Sequence, residues 1–166
     1  DSGVFSKNKV DYGSNLLIQS LPPAAGNILD LGCGYGVIGI SLALLNPGSF
    51  VTMVDINERA VDLAEKNINF NNVTNARVTQ SDGFSNIMDK FDMIVSNPPI
   101  RTGKKVIYPL FEKSISYLNP GGTIYIVIQK KQGAKSAFSK LEEIYGSCDV
   151  INKSGGYWII RSIKQP

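Results

Sequence analysis

Histidine is absent from the 166-residue chain. This excludes histidine catalytic dyads and histidine metal sites. Cysteine is scarce: Cys33 and Cys148 lie far apart and form no metal-ligand spacing. No metal is expected, and a reducing cytoplasm is the simple expectation. No apolar run approaches a membrane span, and no signal-peptide pattern, repeat or low-complexity segment appears. The net charge of +3 is only mildly basic, which permits a nucleic-acid partner without demanding one. What remains is ordinary for a soluble α/β protein, with 43% hydrophobic and 19% charged residues. The length fits one domain over residues 1–166 with a sizeable core. The chain opens abruptly at Asp1, as the trimmed remainder of a longer protein would.

The chain is organised around residues 26–39. The apolar pair Ile28-Leu29 leads into Asp30, then Gly32, Gly34 and Gly36 at alternate positions, then an apolar helical pattern from Val37 to Leu45. That is a strand, a tight glycine turn and a helix. Glycine serves where backbone turns sharply or lies close against a ligand, and the helix start offers unpaired N–H groups. Such a turn cradles a nucleotide-like ligand. Gly34-x-Gly36-x-x-Gly39 also fits the dinucleotide fingerprint literally, a weak match in isolation. A glycine-rich turn without any ligand is the bland alternative. Asp30 discriminates, because a pyrophosphate is repelled by a carboxylate there whereas a cation is attracted. S-adenosylmethionine carries both a sulfonium and an ammonium. Leu29-Asp30-Leu31-Gly32-Cys33-Gly34-Tyr35-Gly36 resembles the cofactor loop of class I methyltransferases.

Upstream, Leu17, Ile18 and Leu21 share a helical face that Pro22-Pro23 ends. Phe5 and Asp11 are less easily explained as core. Downstream, Ser49 to Val54 is a β-rich strand ending in Asp55, where an acid can accept hydrogen bonds from both ribose hydroxyls. Asn57 is a plausible N-cap for a helix from Glu58 to Phe70, with Ala60, Leu63, Ala64 and Ile68 in period and Asn67 the polar exception. Ala76 to Gln80 reads as a third strand delivering Ser81-Asp82-Gly83. Asp82 is either a turn former or an acceptor for an adenine amino group. Phe91 to Ser96 is the next strand, and Asn97-Pro98-Pro99-Ile100 follows as a rigid loop at its carboxyl end. Val106 to Leu118 reads as a helix broken at Pro120-Gly121-Gly122, and Thr123 to Ile128 as a buried strand. Ala134 to Tyr145 is helical, with Ala137, Phe138, Leu141 and Ile144 on one face. Cys148–Ile151 and Tyr157–Ile160 close the chain as strands, joined hairpin-fashion by Ser154-Gly155-Gly156. The expected fold is α/β and Rossmann-like. Its seven-stranded sheet is mostly parallel, with an antiparallel terminal strand and helices on both faces.

The chain resembles the "methyltransferase small" family, whose best-known members are small-subunit ribosomal RNA guanine-N2 methyltransferases. The resemblance rests on Gly3-Val4-Phe5-Ser6, Asp11-Tyr12-Gly13-Ser14, the Asp30–Gly36 loop, Asp55, and Phe91 through Asn97-Pro98-Pro99. It covers nearly the whole chain, and the motif order is specific where single motifs are not. Larger family members carry an extra N-terminal domain and tend to have Phe-His after the prolines. Here Ile100-Arg101-Thr102-Gly103-Lys104 follows, as in short single-domain members.

The resemblance implies S-adenosylmethionine as cofactor, held by Asp30, Gly32, Cys33, Gly34, Asp55, Ile56, Ser81, Asp82, Gly83 and Asn97. It implies a reaction centre at Asn97, Pro98, Pro99 and Ile100, acting on an exocyclic amine. The Asn97 side-chain oxygen and the Pro98 carbonyl would each accept one amine hydrogen. Ile100 stands where many relatives have an aromatic residue, so base stacking is expected to be weaker or to come from elsewhere. Phe5, Arg101, Lys104 and Lys105 are candidate substrate contacts, with Lys130-Lys131 at the same edge. The partner implied is ribosomal RNA or the small ribosomal subunit, with no membrane. Methylation of a protein glutamine or DNA adenine also uses an Asn-Pro-Pro loop but prefers Tyr or Phe at position 100. An inactive cofactor-binding module is disfavoured by the intact loop, and a nicotinamide dehydrogenase by Asp30 and the Asn-Pro-Pro loop.

Overall fold

Strand and helix alternate along the chain and build one seven-stranded sheet. The computed structural model describes residues 11–99 and 103–166. The chain runs through α1 (Tyr12–Ser20), β1 (Gly26–Leu31), α2 (Val37–Leu45), β2 (Ser49–Asp55), α3 (Glu58–Phe70) and β3 (Ala76–Gln80). It continues through β4 (Phe91–Ser96), α4 (Lys104–Ser114), β5 (Leu118–Gln129), α5 (Ala134–Tyr145), β6 (Asp149–Ser154) and β7 (Tyr157–Ile163). The strand order is β3-β2-β1-β4-β5-β7-β6. The first five are parallel, and β7 is antiparallel to both β5 and β6. The expected sheet is therefore the observed one.

Alternating side chains feed two cores. Ile28 of β1, Met53 of β2 and Val95 of β4 pack with Leu17 of α1, Ile40 of α2 and Ile68 of α3 on one face. Leu29, Val54, Ile94 and Ile126 pack with Ile107 and Phe111 of α4 and Leu141 of α5 on the other. Helices on both faces explain why the central strands read as continuous apolar runs. Asn57 caps α3 as expected, its Oδ1 accepting from the Arg59 and Ala60 amides at 2.9 and 3.4 Å. Leu63 departs from the expected face and is 47% exposed, because Ala64, Asn67 and Ile68 carry the contact. Leu16, rather than Ile18, joins Leu17 in the core under α1.

The helix expected to reach Leu118 stops early. It ends at Ser114, a short 3₁₀ turn covers Ile115–Tyr117, and β5 already begins at Leu118, opposite Phe91. Pro120-Gly121-Gly122 lies inside this strand, where the register with β4 shifts. The irregular backbone survives because Lys164 pairs with it: the Gly121 amide donates to the Lys164 carbonyl, and the Lys164 amide to the Gly122 carbonyl, both at 2.8 Å. The β6–β7 connection is the expected hairpin. Gly155 and Gly156 both take positive φ, +56° and +82°, as a two-residue turn of this kind requires.

The chain reverses direction across the sheet between β1 and β4, which are neighbours. Ligands of open α/β sheets bind at such a switch point, outside the carboxyl ends of the strands. The Ser96 hydroxyl ties the two ends together by donating to the Leu31 carbonyl at 2.8 Å.

Candidate active site

The glycine turn after β1 is held by backbone. The Gly32 and Cys33 amides both donate to the Val54 carbonyl, at 2.9 and 2.8 Å. The Gly34 amide donates to Asp55 Oδ2 at 2.8 Å, and the Asn57 amide to Asp55 Oδ1 at 2.9 Å. Asp55 thus fixes the turn from the next strand. Gly32, Gly34 and Gly36 have φ of +75°, +57° and +105°, values that other residues reach only with strain. Gly39 serves a different need. A Cβ there would stand 2.3 Å from the Met53 sulfur, so glycine lets α2 lie directly on β2.

Asp30 points beneath this turn, with 1% exposure. Its Oδ2 accepts from the Gly39 amide at 2.9 Å, while Oδ1 is buried without a hydrogen-bond partner among the described residues. Burial raises its pKa to about 7; the Gly39 hydrogen bond works against this and the Asp55 charge adds to it. An orphaned buried carboxylate oxygen is costly, and in native folds it calls for an explanation. Cys33 is partly buried, its thiol donating to the Gly34 carbonyl at 3.3 Å. Burial, with Asp30 and Asp55 nearby, pushes that thiol far up, so it stays protonated and is no nucleophile.

A cavity of about 470 Å³ opens at the switch point. Of the residues expected to bind cofactor, it gathers Gly32, Asp55, Ile56, Ser81, Asp82, Gly83 and Asn97; Pro99 of the reaction loop joins them. Asp30, Cys33, Gly34 and Pro98 stand outside its lining. Leu31, Val54, Ser96, Val106 and Leu110 also line it; Val54, Val106 and Leu110 read in the sequence only as strand or helix residues. Ser81 shapes the far wall, donating to the Gly83 carbonyl at 2.6 Å and accepting from the Asn86 amide at 3.0 Å. Asp82 is exposed.

Asn97 is half-buried at the rim. Its Nδ2 donates to the Ser14 hydroxyl at 3.1 Å. That hydroxyl donates to Asp11 Oδ2 at 3.2 Å, and the Ser14 amide donates to Asp11 Oδ1 at 2.7 Å. No described hydrogen bond occupies Asn97 Oδ1. Asn67, the polar exception on α3, donates to the Tyr35 carbonyl at 2.9 Å and supports the glycine turn. Its sequence signal was being polar on an apolar face.

The expected basic cluster divides. Lys105 lines a cleft beside the cavity, with which it shares Asp82, Val106 and Leu110. Lys104 lines a different cleft with Gly133 and sits 5.9 Å from the Tyr108 ring centroid. Lys130 and Lys131 line a third, against Gly155 and Gly156 of the hairpin. Phe5, Ile100 and Arg101 lie outside the described residues. Among the described residues, no helix is long and apolar enough to cross a membrane.

The methyltransferase small domain family matches residues 1–161. The chain belongs to that family. It is 52% identical over 168 residues to the uncharacterized protein YbxB of Bacillus subtilis (strain 168), covering 99% of this chain and 84% of that one. It is 44% identical over 129 residues to ribosomal RNA small subunit methyltransferase C of Aeromonas hydrophila, covering 75% of this chain and 37% of the relative. Among solved structures, the Thermus thermophilus 16S rRNA N2 G1207 methyltransferase, in complex with AdoMet and guanosine, superposes with a TM-score of 0.83. That pair shares 28% identity over 97% of this chain and 45% of the other. The chain therefore spans less than half the length of these two methyltransferases.

The cofactor of this methyltransferase small domain is S-adenosylmethionine. The cavity fits such a molecule. Its volume lies within the range of about 300–1,000 Å³ usual for small-molecule sites. A Cβ at Gly32 would meet no protein atom within 4 Å, so the turn leaves room for close approach to its backbone. Acidic side chains stand at Asp55 and Asp82, with Ile56 and Leu110 as apolar walls.

Proposed function

We propose that this methyltransferase small domain methylates an exocyclic amine of ribosomal RNA, guanine N2, in the cytoplasm. The observation that carries the reading is the orientation of Asn97, whose amide nitrogen is engaged by Ser14 at the rim of the cavity. This leaves Oδ1 as an acceptor for an N–H donor. The guanine-N2 assignment is supported by the structural likeness to the Thermus thermophilus 16S rRNA N2 G1207 methyltransferase and by the ribosomal RNA methyltransferases among the sequence relatives.

S-adenosylmethionine, when bound, supplies an electrophilic methyl group on its sulfonium. Asp55 accepts one backbone amide on each carboxylate oxygen, and further lone pairs remain for two ribose hydroxyls. Asp82 would accept from an adenine amino group, with Ile56 and Leu110 supplying apolar surface in the same cavity. Asp30 places a carboxylate under the glycine turn, where a positive ligand relieves the cost of its burial.

An aromatic amine is a poor nucleophile, because its lone pair is delocalised into the ring. Asn97 Oδ1 and the Pro98 carbonyl each accept one of its hydrogens and hold the nitrogen in a single orientation. Positioning of this kind contributes roughly 7–11 kcal/mol to a rate acceleration. Pro98 and Pro99 keep the loop stiff enough for it. No histidine base is required, since an amine that has become cationic gives its proton to water. Lys105, Lys130 and Lys131 are suited to RNA phosphates.

The test is mass mapping of modified nucleotides in ribosomal RNA from a strain lacking the gene, followed by methyl transfer in vitro to that RNA or its subunits. Loss of one N2-methylguanosine, restored by the purified protein, supports the reading. An unchanged ribosomal RNA, with the methyl group appearing instead on a protein glutamine or a DNA adenine, overturns it.

A further inference from the structure

The motif Asp11-Tyr12-Gly13-Ser14 lies 83 residues before Asn97, yet its serine is the partner of the Asn97 amide. We propose that Asp11 and Ser14 are positioning residues that set which end of the Asn97 amide faces the substrate. The inference rests on the reading that Asn97 Oδ1 accepts the target amine.

A serine hydroxyl has one hydrogen to give. Ser14 commits it to Asp11 Oδ2 at 3.2 Å, where the carboxylate oxygen accepts. The hydroxyl then offers Asn97 nothing but lone pairs, so Asn97 must present its NH₂ end, at 3.1 Å. The amide oxygen is thereby turned the other way. Asp11 is itself fixed as the N-cap of α1, its Oδ1 taking the Ser14 amide at 2.7 Å. Ser14 is 6% exposed, so water does not easily replace its hydroxyl. An uncharged carbonyl and NH₂ have similar shapes, and packing alone would not choose between the two amide orientations. The polarity of the Asp11–Ser14 pair does.

The chain offers a variant that reverses this polarity. In Asp11→Asn the cap survives, because asparagine caps helices as well as aspartate. Capping keeps the side-chain oxygen on the Ser14 amide, which places the new NH₂ against the Ser14 hydroxyl. That hydroxyl now accepts, and its own hydrogen becomes available to Asn97, favouring the wrong end of the amide. Ser14→Ala removes the hydroxyl, and Ser14→Thr retains it.

The experiment measures kcat and KM for methyl transfer to unmodified ribosomal RNA, cofactor affinity by calorimetry, thermal melting, and the Asn97 side-chain amide resonances. Asp11→Asn and Ser14→Ala are expected to lower kcat roughly tenfold or more. KM, cofactor affinity and melting temperature stay near wild type, and the Asn97 amide resonances shift. Ser14→Thr recovers most of the rate. Adding Ser14→Ala to Asn97→Ala has no further effect. Wild-type kcat in both Asp11→Asn and Ser14→Ala, while Asn97→Ala is crippled, overturns the positioning role and leaves the Asn97 reading standing. A loss of rate that merely follows a loss of melting temperature also overturns it. Wild-type kcat in Asn97→Ala overturns the underlying reading instead.

Discussion

The two halves of the carboxyl edge of the sheet are held by different means. On the side of β1 to β3, side chains grip backbone: Asp55 takes the Gly34 and Asn57 amides, Asp30 the Gly39 amide, and Ser81 bonds the Gly83 and Asn86 backbone. On the side of β4 to β7, the Ser96 hydroxyl still takes the Leu31 carbonyl and Asp11 the Ser14 amide, but around Asn97 side chains also grip side chains. Asn97 bonds Ser14, Ser14 bonds Asp11, and Tyr12 of α1 bonds Ser154 beside the hairpin. Backbone locking makes a fixed cradle, in which binding and folding draw on the same hydrogen bonds. Side-chain pairing makes a site whose orientation can change while the fold remains. Damage to the first half should therefore change stability as well as cofactor affinity, and damage to the second should cost rate alone.

The sharpest test of the first half is the pH dependence at Asp30. Its pKa is raised from 3.8 to about 7, chiefly by burial. Between those values the folded chain holds more protons than the unfolded one, so stability falls as pH rises through that window and levels off above it. The ionisation cost is on the order of 4 kcal/mol at neutral pH. Asp30→Asn should remove that slope and melt higher than wild type at pH 7 without cofactor, while binding S-adenosylmethionine less tightly. Equal slopes in the two proteins, read by urea unfolding across pH 4–8, would break the comparison.

Next in size is Asp55→Ala. It strips an acceptor from two backbone amides, and hydrogen bonds to charged groups are worth about 1.5–3 kcal/mol each, less at a partly exposed site. Calorimetry and thermal melts should show affinity and stability falling together. A variant that loses affinity but melts like wild type would mean the turn does not depend on Asp55. The smallest effect expected is at the lysines. Lys105→Ala should lower the salt dependence of RNA binding by about one unit of slope, and Lys104→Ala by less, because Lys104 faces a separate cleft. Equal slopes for both variants would restore the single basic cluster that their adjacency suggested.

Much of this was legible in the sequence, where the signal was local. Alternating glycines after a short apolar strand, consecutive prolines after Ser96 and the Gly155-Gly156 pair each dictate their own backbone. What was illegible depended on partners distant in sequence. Pro120-Gly121-Gly122 reads as a break, and it joins β5 only because Lys164 satisfies the irregular backbone. Asn67 reads as a flaw in a helix face until Tyr35 is seen across from it. Lys104 and Lys105 read as a pair, yet successive helical residues point about 100° apart. The Asp11–Ser14 motif stood out in the sequence, but nothing in the spacing announced that Ser14 meets Asn97.

The central claim is that Asn97 acts chiefly on the substrate amine, while Asp30 and Asp55 hold most of the cofactor. Asn97→Ala, assayed by tritiated methyl transfer to ribosomal RNA or subunits from the gene-deleted strain, tests it most directly when cofactor titration and thermal melts accompany the assay. The account predicts a rate lowered by roughly 100-fold or more, with cofactor affinity within about threefold of wild type and melting temperature little changed, the pattern of an interaction realised mainly in the transition state. Asn97→Asp, which keeps an oxygen, should retain partial activity. Methyl transfer by Asn97→Ala at the wild-type rate would contradict the account.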